Sequence, residues 1–427
     1  MKVLMFGWEF PPHISGGLGT ACQGIVNGLL ENGVRVLFVV PKTYGDEPVE
    51  RFRLLGAEDV HVWPDKAAAT TLREALSFFE VDSPLVPYMS PEAYIRQTAA
   101  GSPPAPEHRP IRYTFGGGYG KNLMREVWHY AETAAAIASR QAFDIIHAHD
   151  WLAFPAGIMA AAQSGKPLVV HVHATEFDRA GDNINRQVYE TEKQGMMMAD
   201  RVIAVSELTR QTIIHRYHIP PEKVVTIHNA VNQSEEPDSG FSLPSLLPEK
   251  RVCFAGRVTW QKNPSIFVEA ATRILEKDKS FRFFMAGSGD MLDEMIEKAN
   301  RLEISSRFHF TGFLQGPALQ KLLRACDVFV MPSVSEPFGL APLEAIREGV
   351  PVIVSRQSGV QEVLQYAMKV DWWDVDALAN AIYGLARYRG LANMLRRESI
   401  REVSEMSWLK QAAAIKSLYR KVLNCRV

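Results

Sequence analysis

The sequence predicts an α/β protein built on two doubly wound parallel sheets. Apolar runs of strand length alternate with helical patterns along most of the chain. A Ser-, Pro- and acid-rich stretch at 232–249 interrupts that alternation between two similar series. The 427 residues are enough for two domains of ordinary size.

In the first series, strand-like runs fall at 2–7, 34–40, 144–149, 168–173, 201–206 and 224–228, with helical patterns such as 19–31 and 184–199 between them. Residues 80–120 break the rhythm with Pro84, Pro87, Pro91, Pro103, Pro104, Pro106 and Pro110, so an irregular excursion is expected there. The second series has strand-like runs at 251–256, 281–286, 308–311, 327–331 and 351–355. Helical patterns follow at 375–388 and 391–403, and a last helix is expected from about Trp408. The expected division is therefore 1–231, a linker at 232–249, a second domain at 250–405 and a terminal helix at 406–427. Open α/β sheets bind ligands beyond the carboxyl ends of their strands, so two such domains facing each other place a site in the cleft between them.

Lys plus Arg (47) nearly balances Asp plus Glu (48), and a net charge of -1 gives no electrostatic reason to expect nucleic acid or an anionic membrane as partner. No apolar run reaches membrane-spanning length. The chain opens on a strand broken early by Pro11-Pro12, which does not read as a signal peptide. Cys22, Cys253, Cys326 and Cys425 are widely spaced and form no metal-like pair, so reduced thiols in a cytoplasmic protein are expected.

The most informative stretch runs from Pro332 to Ala345. It follows a buried-strand pattern and enters a helix with Pro342 in its first turn and Gly349 past its end. Glu336 then lies in the strand-to-helix loop and Glu344 in the helix start. The amides of Phe338, Gly339 and Leu340 face outward at a positive helix end. Carboxylates accept hydrogen bonds from hydroxyls, and such amides attract phosphate. A ligand carrying both, a nucleotide sugar, suits the combination. Arg257 and Lys262 occupy the loop after the first strand of the same domain, where two fixed cations would stabilise a departing diphosphate.

Ser15-Gly16-Gly17-Leu18-Gly19-Thr20 forms a glycine-rich turn into a helix, suited to close backbone approach by phosphate. It is not the dinucleotide fingerprint, because Cys22 stands where the third glycine belongs. His147-Ala148-His149-Asp150-Trp151 and His171-Val172-His173 each put two histidines on one face of a strand. Without cysteine partners or a carboxylate ligand pattern, these are read as contacts to sugar hydroxyls rather than as a metal site. His149 and His173, nearer the strand ends, are the better placed. Asp374-Val375-Asp376 reads as a helix cap. Gly116-Gly117-Gly118-Tyr119-Gly120-Lys121-Asn122 lacks the first glycine and the Ser or Thr of a phosphate loop.

Taken together, these residues resemble the retaining glycosyltransferases of the GT-B fold, the glycogen and starch synthases in particular. The resemblance covers nearly the whole chain. It rests on Gly-Gly-Leu-Gly at 16–19, His-Ala-His-Asp-Trp at 147–151, the Arg257-x4-Lys262 pair, and Glu336-x7-Glu344 within Glu-Pro-Phe-Gly-Leu. Thr20 stands where the synthases carry Asp.

The resemblance implies two Rossmann-like domains facing each other across a cleft, and a last helix, opening at Ser407-Trp408, that crosses back to the first domain. Gly17, Arg257 and Lys262 would hold the diphosphate and Glu344 the ribose. Glu336 and the amides at 338–340 would hold the donor sugar, with His173 beside the anomeric carbon. Gly287, Ser288 and the Phe313–Leu314 turn would border the base. It further implies front-face displacement without metal or other cofactor, from ADP- or UDP-glucose to an α-glucan. Phe79, Tyr88, Tyr94 and Tyr113 are candidate faces for acceptor rings. The rival readings are a retaining transferase for a lipid, a sugar phosphate or a cell-wall glycan, a metal-dependent hydrolase built on the two His-x-His pairs, and a non-catalytic nucleotide-sugar sensor.

Overall fold

The chain's architecture was analysed in a computed structural model that describes residues 1–13, 16–47, 51–62, 111–120, 122–231 and 249–425. It divides into two units: Met1–Asn229 with Trp408–Val427, and Ala230–Ser407.

In unit 1 the strands in chain order are β1 (Lys2–Phe6), β2 (Arg35–Val40), β3 (Arg53–Gly56), β4 (His61–Val62), β5 (Ile111–Arg112), β6 (Ile145–His149), β7 (Leu168–Val172), β8 (Arg201–Ala204) and β9 (Val224–Thr226). Seven of them form a sheet in the order β3-β2-β1-β6-β7-β8-β9, parallel throughout. β4 and β5 make a separate antiparallel pair. Every residue of β6 and β7 is buried, as befits central parallel strands covered on both faces.

Unit 2 repeats the plan with β10 (Lys250–Ala255), β11 (Phe281–Ala286), β12 (Phe308–Gly312), β13 (Val328–Met331), β14 (Val352–Ser355) and β15 (Met368–Val370). Their order is β12-β11-β10-β13-β14-β15, again all parallel. Phe254, Phe267, Phe281, Phe283 and Phe308 fill its core.

Both orders reverse direction once, between β1 and β6 and between β10 and β13. In open α/β sheets these reversals are where loops diverge and ligands enter.

The Trp408–Asn424 helix belongs to unit 1 and lies along the Gly17–Glu31 helix. A Cβ on Gly24 would stand 2.2 Å from Trp408 Cε2, so the indole requires a glycine there. Asn32 Nδ2 donates to the Leu409 carbonyl at 3.0 Å. Among the described residues, no helix is long and apolar enough to cross a membrane.

The glycine-rich turn enters its helix at Gly17, two residues before the expected start, because Gly17 and Leu18 already adopt helical backbone. The linker expected at 232–249 lies outside the described residues except for Glu249. Phe79, Tyr88 and Tyr94 also lie outside them. Tyr113 is described. Its ring stacks on His129 with centroids 4.0 Å apart, and its hydroxyl donates to Glu132, so it packs within unit 1.

Candidate active site

The loops after β10, β11 and β12 are tied together by backbone. Gly256 N donates to Ala286 O at 2.9 Å, Val258 N to Ser288 O at 2.9 Å, and Gly287 N to Gly312 O at 2.8 Å. The contact is so close that a Cβ on Gly287 would lie 1.8 Å from Gly256 O. Arg257, the Gly287–Ser288 pair and the turn carrying Phe313 and Leu314 are thereby drawn to one end of the sheet. Ser288 and Phe313 are exposed there.

A second set of bonds crosses the switch point from β10 to β13. Arg257 Nη2 donates to Gln261 Oε1 at 3.3 Å, and the Gln261 carbonyl accepts from Val334 N at 2.9 Å. Lys262 Nζ forms an ion pair with Glu336 Oε2, which Ser333 Oγ also approaches at 3.5 Å. The loop after β14 fixes the turn: Glu336 N donates to Gln357 O at 3.0 Å, Gly359 N to Glu336 O at 2.8 Å, and Val360 N to Phe338 O at 2.7 Å. Glu336 is buried and Lys262 half-buried, so this pair is largely withdrawn from solvent screening.

An ammonium has three N–H donors and a carboxylate about four acceptor sites. The pair therefore keeps capacity for a phosphate oxygen on one side and sugar hydroxyls on the other. Residues 74 apart in sequence thus act as one group.

Phe338, Gly339 and Leu340 form the turn into the Ala341–Arg347 helix, with Phe338 buried and the other two half-buried. Glu344 lies in its first turn, half-buried. Burial raises its carboxyl pKa, Arg347 opposes that rise, and Glu348 adds to it.

A separate cavity of about 360 Å³ is lined by Glu249, Arg251, Arg282, Phe284 and His309 among others. Arg251, Arg282 and His309 sit at the starts of their strands, the end away from the switch-point loops, and none of the residues singled out above lines it.

In unit 1, Gly17 is exposed at the start of its helix, and Gly19 N donates to the buried Glu9 Oε1 at 3.1 Å. The two His-x-His pairs come together on one face of β6 and β7. His149 and His171 are register partners. His149 Nδ1 meets His173 Nε2 at 3.0 Å, and His147 Nδ1 meets the Tyr419 hydroxyl of the terminal helix at 2.6 Å.

The sequence reading offered both His149 and His173 to a ligand. His149 is in fact fully buried and stands behind His173, which is half-buried. Alternation along β6 does put His147 and His149 on one face, but how deep that face lies depends on the helices packed over it.

Asp150 was read only as part of a motif, yet it builds this end of the strand. It adopts φ +60, and its Oδ1 accepts from His173 N at 2.6 Å and Ala174 N at 3.4 Å. Burial pushes its carboxyl up to about 7, against the opposing field of Arg179.

A buried network follows. Arg179 pairs with Glu176 at 3.1 Å and with Glu192, to which the Tyr217 hydroxyl donates. It also donates to Ala174 O at 3.3 Å. Sequence reasoning missed this network, although Thr175-x-x-Asp178 carries the capping-box spacing that the structure uses.

Burial holds all four imidazoles neutral. His147 and His173 are pushed down to about 3, and His149 and His171 well below their ordinary value. As pH falls below about 6.5, the unfolded chain therefore takes up these protons before the folded one does. Asp150 and Glu192, both pushed up to about 7 by burial, work the other way between about pH 4 and 7. Four imidazoles outweigh two carboxyls, leaving roughly two more protons on the unfolded chain near pH 5. Unit 1 is accordingly expected to lose stability as pH drops from about 6.5 toward 4. Urea midpoints measured across that range should fall with pH, and a flat or rising midpoint would show that the cluster is not held neutral.

The chain is similar to known glycosyltransferases along most of its length. Residues 238–399 match the family Glycosyl transferases group 1, and residues 93–235 match Glycosyltransferase Family 4. An uncharacterised glycosyltransferase of Methanocaldococcus jannaschii is 28% identical over 384 residues, covering 87% of this chain and 85% of that protein. A glycogen synthase of Mycobacterium tuberculosis is 24% identical over 434 residues, covering 98% and 94%. A D-inositol 3-phosphate glycosyltransferase of Salinispora tropica is 28% identical over 367 residues, covering 77% and 76%. Among solved structures, the sucrose-phosphate synthase of Thermosynechococcus elongatus superposes with a TM-score of 0.72 at 18% identity, covering 99% of each chain. With a Glycosyltransferase Family 4 match over 93–235, a Glycosyl transferases group 1 match over 238–399 and two parallel Rossmann-like sheets, the chain is a two-domain glycosyltransferase of the GT-B fold.

Proposed function

We propose that this glycosyltransferase is a retaining hexosyltransferase that moves glucose from ADP- or UDP-glucose to an α-glucan. The observation that carries the reading is the Lys262–Glu336 pair at the β10/β13 switch point, with Arg257 fixed beside it on Gln261. In this reading unit 2 holds the donor. Arg257 and Lys262 take the diphosphate, Glu344 the ribose, and Glu336 with the turn at 338–340 the sugar hydroxyls. Gly287, Ser288, Phe313 and Leu314 border the base. Gly17 and His173 keep the roles that the resemblance implies, and His149 acts through His173.

As the glycosidic bond breaks, negative charge builds on the diphosphate. Arg257 and Lys262 stabilise that charge more in the transition state than in the ground state. The leaving phosphate assists removal of the acceptor proton as the acceptor attacks from the same face, so configuration is retained.

The glucan acceptor draws support from the likeness to a glycogen synthase across nearly the whole chain. The inositol-phosphate transferase relative supports a second reading, a sugar-phosphate-type acceptor. Incubating the protein with ADP-, UDP- and GDP-sugars, with and without malto-oligosaccharide, and measuring nucleotide release separates the two. Longer glucans from ADP- or UDP-glucose are expected. Transfer from another donor to a phosphorylated polyol, with no glucan extension, would overturn the glucan assignment and leave the transferase assignment standing.

Turnover is also expected not to depend on Mg²⁺ or Mn²⁺, because two cationic side chains supply the charge that a metal provides elsewhere. Chelator-treated protein that recovers activity only with one of those ions would contradict this.

A further inference from the structure

We propose that His147, His149 and His171 form a buried structural site for a zinc-class divalent ion in unit 1, separate from the donor-binding residues of unit 2. His147 and His149 sit two residues apart on β6, and His171 is the register partner of His149 on β7. Their side chains are 0–1% exposed.

The nitrogen bookkeeping is specific. His147 uses Nδ1 toward Tyr419 at 2.6 Å, and His149 uses Nδ1 toward His173 at 3.0 Å. The remaining nitrogens, Nε2 of His147, Nε2 of His149 and both nitrogens of His171, have no hydrogen-bond partner among the described residues. Buried polar atoms are rarely left this way, and here four gather in one place. One nitrogen from each ring lies within 4.8 Å of the others.

Metal-bound histidines ligate through one ring nitrogen while the other is held by an outer hydrogen bond that fixes the ring. His147 and His149 show that arrangement, each with Nδ1 held and Nε2 unpartnered, whereas neither nitrogen of His171 is held. Bond lengths of about 2.0 Å in a tetrahedral site put ligand nitrogens about 3.3 Å apart, so side-chain rotation must close the present separation. Imidazole donors favour zinc and its neighbours over magnesium or calcium.

Cys22 makes a second triad with His149 and His173. In that triad the His173 Nε2 is already engaged by His149, so the three-histidine set is the better one. Three imidazoles leave the fourth tetrahedral position to a water, and with all three ligands buried that position would not be open to a substrate. The ion's work would be to fix β6 against β7 directly behind His173. The inference does not depend on which acceptor the enzyme uses.

The test uses the full chain, purified without a histidine tag. Elemental analysis should find about one zinc per chain. Stripped protein titrated with Co²⁺ should develop the intense visible bands of a tetrahedral site. His171→Ala should weaken Co²⁺ binding at least about tenfold. His215→Ala, at an exposed position, should not change it. Folded protein with less than about a tenth of an equivalent of metal and no cobalt band would overturn the proposal. So would unchanged binding in His171→Ala. The cobalt spectrum of the unmutated chain decides the matter should a variant fail to fold.

Discussion

Replacing Lys262 with alanine is expected to lower turnover by about 10²–10³-fold while leaving donor binding nearly unchanged. The reason lies in when the charge is needed. On the proposed reading, Arg257 and the rest of the donor loops would still hold the nucleotide, while the ammonium that would face the developing charge is gone. The substitution also leaves Glu336 buried without its partner, which destabilises the loop from that side. Steady-state kinetics combined with calorimetric titration of nucleotide separates the two effects. A variant with normal turnover and only a raised Michaelis constant would reduce Lys262 to simple ground-state binding.

Gly287→Ala is expected to destabilise unit 2 by about 2 kcal/mol, a fall of roughly 4–8 °C in its melting temperature, and to weaken donor binding with it. The added methyl meets backbone, Gly256 O at 1.8 Å, so no rotamer change relieves the clash. Only displacement of the Gly256–Val258 loop can make room, and Arg257 moves with that loop. Gly384→Ala, where nothing lies within 4 Å of a new Cβ, is the matched control and should be neutral or slightly stabilising. Equal melting temperatures and donor affinities for the two variants would show that the contact between the β10 and β11 loops is not tight in solution.

Much of the fold was legible because it is written in local pattern. The runs at β1, β6, β7, β10, β11 and β13 are apolar enough to be read as buried parallel strands, and helical patterns separate most of them. Short edge strands such as β15, three residues long, carry too little pattern to be read. The order of strands was not legible either, since pairing of β1 with β6 depends on contacts more than a hundred residues apart.

The same limit applies to the site. Glu336 and Lys262 could each be singled out by their position after a strand, but their contact could not. The reading of His149 as a ligand contact rested on its place along the strand and carried no measure of its depth. Strand alternation says which face a residue shares, whereas burial on that face is set by the Gly17–Glu31 and Trp408–Asn424 helices that cover it. Asp150 could have been suspected, because Asp at the end of a strand is one of the few non-glycine residues that readily take left-handed backbone, which it does here. The Arg179–Glu192–Tyr217 network joins residues from separate helices and left no spacing to find.

The central claim is that the residues around Lys262 and Glu336 support retaining transfer from a nucleotide sugar, and proton NMR of the reaction tests it most directly. Donor, acceptor and enzyme are followed together, and the anomeric signal of the first product is read before any slow change of configuration. The account predicts that an α-configured donor gives an α-linked product as nucleotide is released. A β-linked first product would contradict it.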